Sequence, residues 1–439
     1  MEKPGEDAGR RGGWPQRGFA VAALSLLLLA LFACGGDDSD DSSSSDDNEA
    51  TSGDEAADLL GPEDVASGEP VKIGMVSDGA TQAFDNTDEL RAAQAAAEYW
   101  NQHHAGIGGR PIEVVTCETG GEPAGGIDCA NQLVEDQVVA VALSQSAVAD
   151  SVWEPLHAAG VPTLFLQTSA EGLLADTASS FTMLNPMATL FGVPIAAAES
   201  EGTDRIAFVN IDVPQANASF DSGAAPALLE NAGLDYDLIK IPPGTADMTS
   251  QMQEVASSDA GVVYIVGNDA FCIAAIQGLY AVGYDGAITA VSQCITDATR
   301  EAIPGDQLEG ISVTATMAVG ATDDPAYQLY QAVMGTYGDD VQDVDNNVAM
   351  GGYTVMASVA TALAGIEGDI TTQSVAEAMK AMDESDYPGA GGVTFQCGGT
   401  VFPPQPAVCT NQSLRATLDA QGNLASFEAI DSSDAVVGQ

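Results

Sequence analysis

The residues best suited to chemistry form two short loops, Ser144-Gln145-Ser146 and Gln167-Thr168-Ser169. They offer hydroxyls, carboxamides and backbone N–H groups, and no formal charge. That combination holds a carboxylate by hydrogen bonding, and a helix beginning behind Ser146 adds its positive end. The same Ser and Thr residues also serve as ordinary helix N-caps. Ser77 and Asp78 occupy a third loop, with Phe84 just beyond it. Asp78 has the charge to meet an ammonium. Asn268 and Asp269 open a later helix, where Asp269 either meets an α-ammonium or complements the helix dipole. Val213-Pro214-Gln215 and Ser292-Gln293 are weaker polar candidates.

Catalytic and metal chemistries lack their constellations. The three His residues, 103, 104 and 157, stand away from any G-x-S-x-G elbow. Adjacent residues face apart on a helix, so His103-His104 is a poor metal clamp. No G-x-x-x-x-G-K-[ST] or D-x-[DN]-x-[DN]-G stretch is present. No enzymatic activity, cofactor or metal is expected.

The elements that must position these loops are legible as alternating apolar runs and amphipathic segments. VVAVAL (138–143) is of strand length, a helix pattern follows over 148–158, and Val161–Leu166 is a second apolar run. A strand–helix–strand unit brings both loops to one carboxyl edge, where open α/β sheets bind ligands. The same alternation starts at VKIGMV (71–76), with a helix over 86–102 and strand PIEVVTC (111–117), then a helix over 124–136. It begins again after Phe181–Pro186. Helices over 187–200, 217–232, 247–257 and 270–282 alternate with strands 205–210, 235–241, 261–266 and 287–291. A further strand covers 311–318, helices cover 325–337, 347–365 and 374–382, and 389–430 reads as hairpin-like. Two successive sets of α/β units predict two doubly wound parallel-sheet lobes, which suits 439 residues.

The net charge of −52 repels nucleic acid and anionic lipid headgroups. Residues 1–34 read as a targeting segment. Arg10, Arg11 and Arg17 precede an apolar run, Phe19–Leu31, that is short for a membrane span. Leu31-Phe32-Ala33-Cys34 resembles a bacterial lipobox, which makes Cys34 the lipidated residue. Residues 35–70 read as an acidic, disordered linker. The remaining cysteines, Cys117, Cys129, Cys272, Cys294, Cys397 and Cys409, suit disulfides in an exported protein. Six Cys allow 15 pairings, and joining sequence neighbours gives Cys117–Cys129, Cys272–Cys294 and Cys397–Cys409.

The order of these segments carries a family likeness over about 71–430. VKIGMVSDG, AAAEYWNQHHAGIGGRPIEVVTC, GVPTLFLQTSA, DAGVVYIVGNDAF, NVAMGGYTVMASVATAL and YPGAGGVTFQCGG resemble type I periplasmic binding proteins, of the branched-chain amino-acid (Leu/Ile/Val) kind. The resemblance implies a three-strand hinge near 183–186, 314–318 and 389–393. It divides the chain into an N-lobe (71–184 plus 318–391) and a C-lobe (185–317 plus 392–439). It implies a lipid-anchored extracytoplasmic receptor that takes an amino-acid-like solute and meets the permease of an ABC importer, touching the membrane through its anchor only. By the same resemblance Phe84 covers the ligand, the loops of Ser144, Gln145, Ser146 and of Gln167, Thr168, Ser169 hold its charged groups, and the loop of Asn268 and Asp269 contacts it; Ser77, Asp78 and Gln293 complete the expected site. The chain departs from the pattern at Ala142-Leu143, Thr182-Met183 and Val213–Ala216. The family also handles amides, urea and aromatic acids, so the ligand stays open. A sensory module passing ligand state to a signalling partner is the rival from another class.

Overall fold

The structure, a computed structural model, describes residues 57–81 and 84–437. The leader, Cys34 and most of the acidic linker lie outside them. Strands β1 (Val71–Ser77), β2 (Ile112–Glu118), β3 (Ala140–Leu143), β4 (Thr163–Phe165) and β5 (Ser180–Leu184) come first, followed by β6 (Arg205–Ile211), β7 (Asp235–Ile241), β8 (Val262–Val266), β9 (Ala287–Ala290) and β10 (Ser312–Ala315). A short pair, β11 (Ser385–Asp386) and β12 (Thr394–Phe395), precedes β13 (Val408–Thr410), β14 (Gln412–Leu418) and β15 (Leu424–Asp431).

One sheet runs β13-β5-β4-β3-β1-β2, and every pairing in it is parallel. The other runs β15-β14-β10-β9-β8-β6-β7, with β14 and β15 antiparallel at one end. Central strands such as β3 and β8 are continuous apolar runs because helices cover both faces of a parallel sheet. The helix Thr87–His103 presents an Ala-rich face to the helix Asn347–Ala362. Gly352 permits that approach, since a Cβ there would lie 2.1 Å from the Glu89 carbonyl oxygen.

Register places the polar loops together. Val76 stands opposite Leu143, and Leu143 opposite Phe165. The loops after β1, β3 and β4 therefore leave the sheet at one level. The helix expected over 217–232 is two helices, Pro214–Asp221 and Ala224–Asn231. Gly223, at φ 86°, breaks them apart.

Three segments cross between the sheets. The first is Asn185, between β5 and the helix Pro186–Glu201, and the second is Thr316 to Ala318, after β10. The third is Asn411, between β13 and β14, rather than 389–393 as expected. The loop at 387–389 braces the second crossing instead. Tyr387 donates its hydroxyl to the Thr316 carbonyl at 2.9 Å, and Ala318 N donates to the Gly389 carbonyl at 2.8 Å. Residues 408–410 accordingly belong with the first sheet, although the sequence division put all of 392–439 in the second lobe.

The linker expectation also changes over 57–70. Leu60 is buried, and Asp64 N and Ala66 N donate to the carbonyls of Gln102 and Asn101 at 2.8 and 2.7 Å. Arg110 Nε reaches the Glu69 carbonyl at 2.7 Å. An acidic stretch with one buried Leu and paired backbone groups is ordered despite its composition.

Three disulfides join the cysteines that are neighbours in sequence. Cys117–Cys129 ties β2 to the helix Pro123–Glu135, with Cα atoms 5.7 Å apart. Cys272–Cys294 ties the helix Asp269–Val282 to the turn after β9, at 5.3 Å. Cys397–Cys409 ties the segment after β12 to β13, at 4.3 Å.

Candidate functional site

Asp78 organises the loops at the first sheet's carboxyl edge. It is 2% exposed. Its carboxylate accepts from Thr119 Oγ1 at 2.6 Å, Ser146 Oγ at 2.7 Å and Ala147 N at 2.7 Å. One side chain thus staples the loops after β1, β2 and β3, and those bonds commit the carboxylate expected to meet an ammonium. Ser77 is also spent internally: its Oγ donates to the Asn86 carbonyl at 3.0 Å and accepts from Gly79 N at 3.1 Å. Ser144 is buried against Gly351, where a Cβ would lie 2.5 Å from its hydroxyl oxygen.

Beneath these loops lies Glu89, buried, with Oε2 lacking a hydrogen-bond partner. Burial pushes its pKa up to about 8, against the opposing pull of the Ser77 and Ser144 hydroxyls.

In front of the staple is a cavity of about 420 Å³ whose walls include Gln145, Ser146, Gln167, Thr168 and Ser169. Among the described residues, its wall carries no Lys or Arg. The helices Pro123–Glu135, Ala149–Ala158 and Pro186–Glu201 begin on it, at Pro123, Ala149 and Pro186. Three positive helix ends and the polar side chains of the two loops make a setting for a carboxylate. Thr168 Oγ1 is partly used, accepting from Ala170 N at 3.2 Å.

A second cavity, about 260 Å³, shares Gln167 and Pro186 with the first and extends onto the second sheet. Gln293 lines it, with Thr189, Tyr264 and Thr314. Among the described residues none of those last three buried hydroxyls has a partner at hydrogen-bond distance, although Thr314 stands near enough to Tyr264 to pull against the effect of burial on its phenol. Burial raises the Tyr264 pKa, so its phenol stays protonated and can donate. Sequence reading missed all three because each stands in an apolar run. One signal was present: Thr314 in β10 and Thr316 just beyond its end are spaced by two, and both line this cavity.

Other expected site residues lie elsewhere. Phe84 is 41% exposed and lines neither cavity. Asn268 caps its helix, accepting from Phe271 N at 3.0 Å. Asp269 accepts from Ala270 N at 2.7 Å and Thr296 Oγ1 at 3.4 Å. Neither lines the two cavities. Both side chains answer their own helix's unpaired N–H groups. Cys117, Cys129, Cys272, Cys294, Cys397 and Cys409 also line neither cavity. Each is bonded to its neighbour in sequence, so these six brace the lobes and offer no thiol to a ligand or metal. Among the described residues, no cluster of His, Cys, Asp and Glu is poised to hold a metal, and no helix is long and apolar enough to cross a membrane.

A family model described as "Periplasmic binding protein" matches residues 70–407. The chain belongs to the periplasmic binding protein family. Its two sheets, crossed by three segments around a polar cleft, are the framework in which a member of this family holds a solute outside the cytoplasm. A comparison with curated proteins finds no match. Among solved structures, an ABC transporter substrate-binding protein from Sphaerobacter thermophilus is similar at 21% identity and TM-score 0.61, over 83% of this chain and 97% of that one. A solute-binding protein from Rhodopseudomonas palustris, in complex with p-hydroxybenzoic acid, is similar at 17% identity and TM-score 0.60, over 83% and 98%. The branched-chain amino acid transporter substrate-binding protein LivJ from Streptococcus pneumoniae, in complex with isoleucine, is similar at 17% identity and TM-score 0.57, over 82% and 99%. At these identities the likeness is one of fold.

Proposed function

We propose that this periplasmic binding protein captures a small carboxylate-bearing solute between its lobes and presents it to the permease of an ABC importer. The observation that carries this reading is the cation-free cavity where three helix N-termini meet the Gln145–Ser146 and Gln167–Ser169 loops. Isoleucine and p-hydroxybenzoic acid, bound by two of the similar structures, both carry a carboxylate. Lobe closure about the crossings at Asn185, Thr316 and Asn411 encloses the solute. Cys34 carries the lipid that tethers the protein to the outer face of the cell membrane.

An amino-acid ligand also needs a partner for its ammonium. Asp78 is committed to Thr119, Ser146 and Ala147. Among the described residues, Asp150 is the one acid on the cavity wall. This favours a second reading within the same function, an aromatic or other carboxylic acid without an ammonium. A thermal-shift screen of amino acids beside benzoates and short-chain acids separates the two readings. Stabilisation by leucine or isoleucine supports the first, and stabilisation by hydroxybenzoate alone supports the second. If no carboxylate raises the melting temperature, the carboxylate assignment fails.

A further inference from the structure

A third pocket, of about 380 Å³, lies away from the cleft. Tyr99, Trp100 and His104 form one wall, and Tyr353 and the Asp386-Tyr387 segment form others. The rings are set at angles to one another. Trp100 and His104 have centroids 4.3 Å apart, Tyr99 and His104 meet at 5.1 Å and 78°, and Tyr99 and Trp100 at 6.5 Å and 75°. Burial holds His104 below its usual pKa, so its ring brings no cation of its own. Tyr353 is 2% exposed, and its hydroxyl has no hydrogen-bond partner among the described residues. Asp386, at the exposed rim, is the one formal charge on the wall among the described residues.

We propose that this pocket is a second binding site, for a small organic ammonium ion with a flat apolar body. The aromatic walls take the body, and their faces attract the cation. Asp386 pairs with the ammonium, and the Tyr353 oxygen accepts one of its N–H groups. The volume falls in the range of small-molecule sites. The net charge of −52 concentrates organic cations around the protein. Tyr387 joins this site to the lobe crossing through its hydrogen bond to Thr316, so an occupant rests against the segment that moves when the lobes close.

The test titrates the full-length protein with phenethylammonium and with its neutral isostere 2-phenylethanol, by calorimetry and tryptophan fluorescence. Saturable binding of the ammonium, at least about tenfold tighter than the alcohol, is expected. Asp386→Asn, at an exposed position, is expected to weaken the ammonium about tenfold while leaving the circular dichroism unchanged. Ala357→Met fills the pocket and is expected to abolish binding. Ser169→Ala, in the cleft, leaves it unchanged. The proposal is overturned if the ammonium shows no saturation at millimolar concentration, if the alcohol binds as tightly, or if Ser169→Ala removes binding that Asp386→Asn retains.

Discussion

Asn185 Nδ2 donates to Asn411 Oδ1 at 2.8 Å, with both side chains buried. This bond ties the first crossing to the third, and Asn185 N adds a second link to the Thr410 carbonyl at 3.1 Å. Asn185 also caps the helix Pro186–Glu201, accepting from Met187 N at 2.8 Å and Ala188 N at 3.3 Å. Asn185→Ala therefore loses a cap and strands a buried amide, at a combined cost of about 2–3 kcal/mol. Asn185→Ser, which keeps a capping oxygen, costs less. Chemical denaturation of the two variants checks the order, and equal losses would remove the cap from the account.

The staple at Asp78 makes a separate prediction. Asp78→Ala leaves Thr119, Ser146 and Ala147 N without their acceptor, at about 1–3 kcal/mol for the unpaired groups. Solute binding should weaken further than stability alone explains, because the loops lose their mutual register. Calorimetry at a temperature where the variant is fully folded separates the effects. Unchanged affinity there would show that the loops hold their geometry without Asp78.

Tyr264 should give opposite signs for stability and binding. Its hydroxyl is buried and, among the described residues, has only Thr314 near it, beyond hydrogen-bond distance, so Tyr264→Phe stabilises the empty protein by about 1 kcal/mol. If the solute reaches that hydroxyl on closure, the same change weakens binding several-fold. Melting curves with and without solute read both quantities. A variant that is stabilised and binds normally would confine the solute to the first cavity.

Glu89 makes stability depend on pH. The folded protein keeps this proton up to about pH 8, whereas the unfolded chain releases it near 4.5. A raised acid pKa contributes stability that is full below 4.5 and is lost as the pH rises through that window. Glu89→Gln removes the titration. The variant should match the parent at pH 4.5 and exceed it at pH 8 by a few kcal/mol. Denaturation midpoints across that range measure the gap, and parallel curves would refute it.

How far the sequence could be read depended on where neighbouring residues left a pattern. The runs at Val138–Leu143 and Val161–Leu166 announced β3 and β4 because parallel strands are apolar on both faces. Their trailing loops followed from the right-handed crossover. The β13 edge strand was not legible, since Val408–Thr410 has the length of a turn and its partner β5 is more than two hundred residues away. Asp78 was found, but its task was not. A loop carboxylate reads the same whether it faces a ligand or three donors of its own chain. Thr189, Tyr264 and Thr314 were hidden by apolar neighbours, because burial dominates such runs and a lone hydroxyl does not break their periodicity.

The position of β13 bears on the order in which the molecule can be built. Residues 408–410 form the outermost strand of a sheet whose other strands end at Leu184. A nascent chain that has made β1 to β5 still presents the bare edge of β5, and β6 to β10 of the second sheet must emerge before that edge is covered. The first sheet is thus completed only near the end of the chain, through a contact of long sequence separation that folds slowly. Until then its exposed edge can pair with another chain. Transit in an unfolded state, or protection by a chaperone, suits such a topology better than folding lobe by lobe during synthesis.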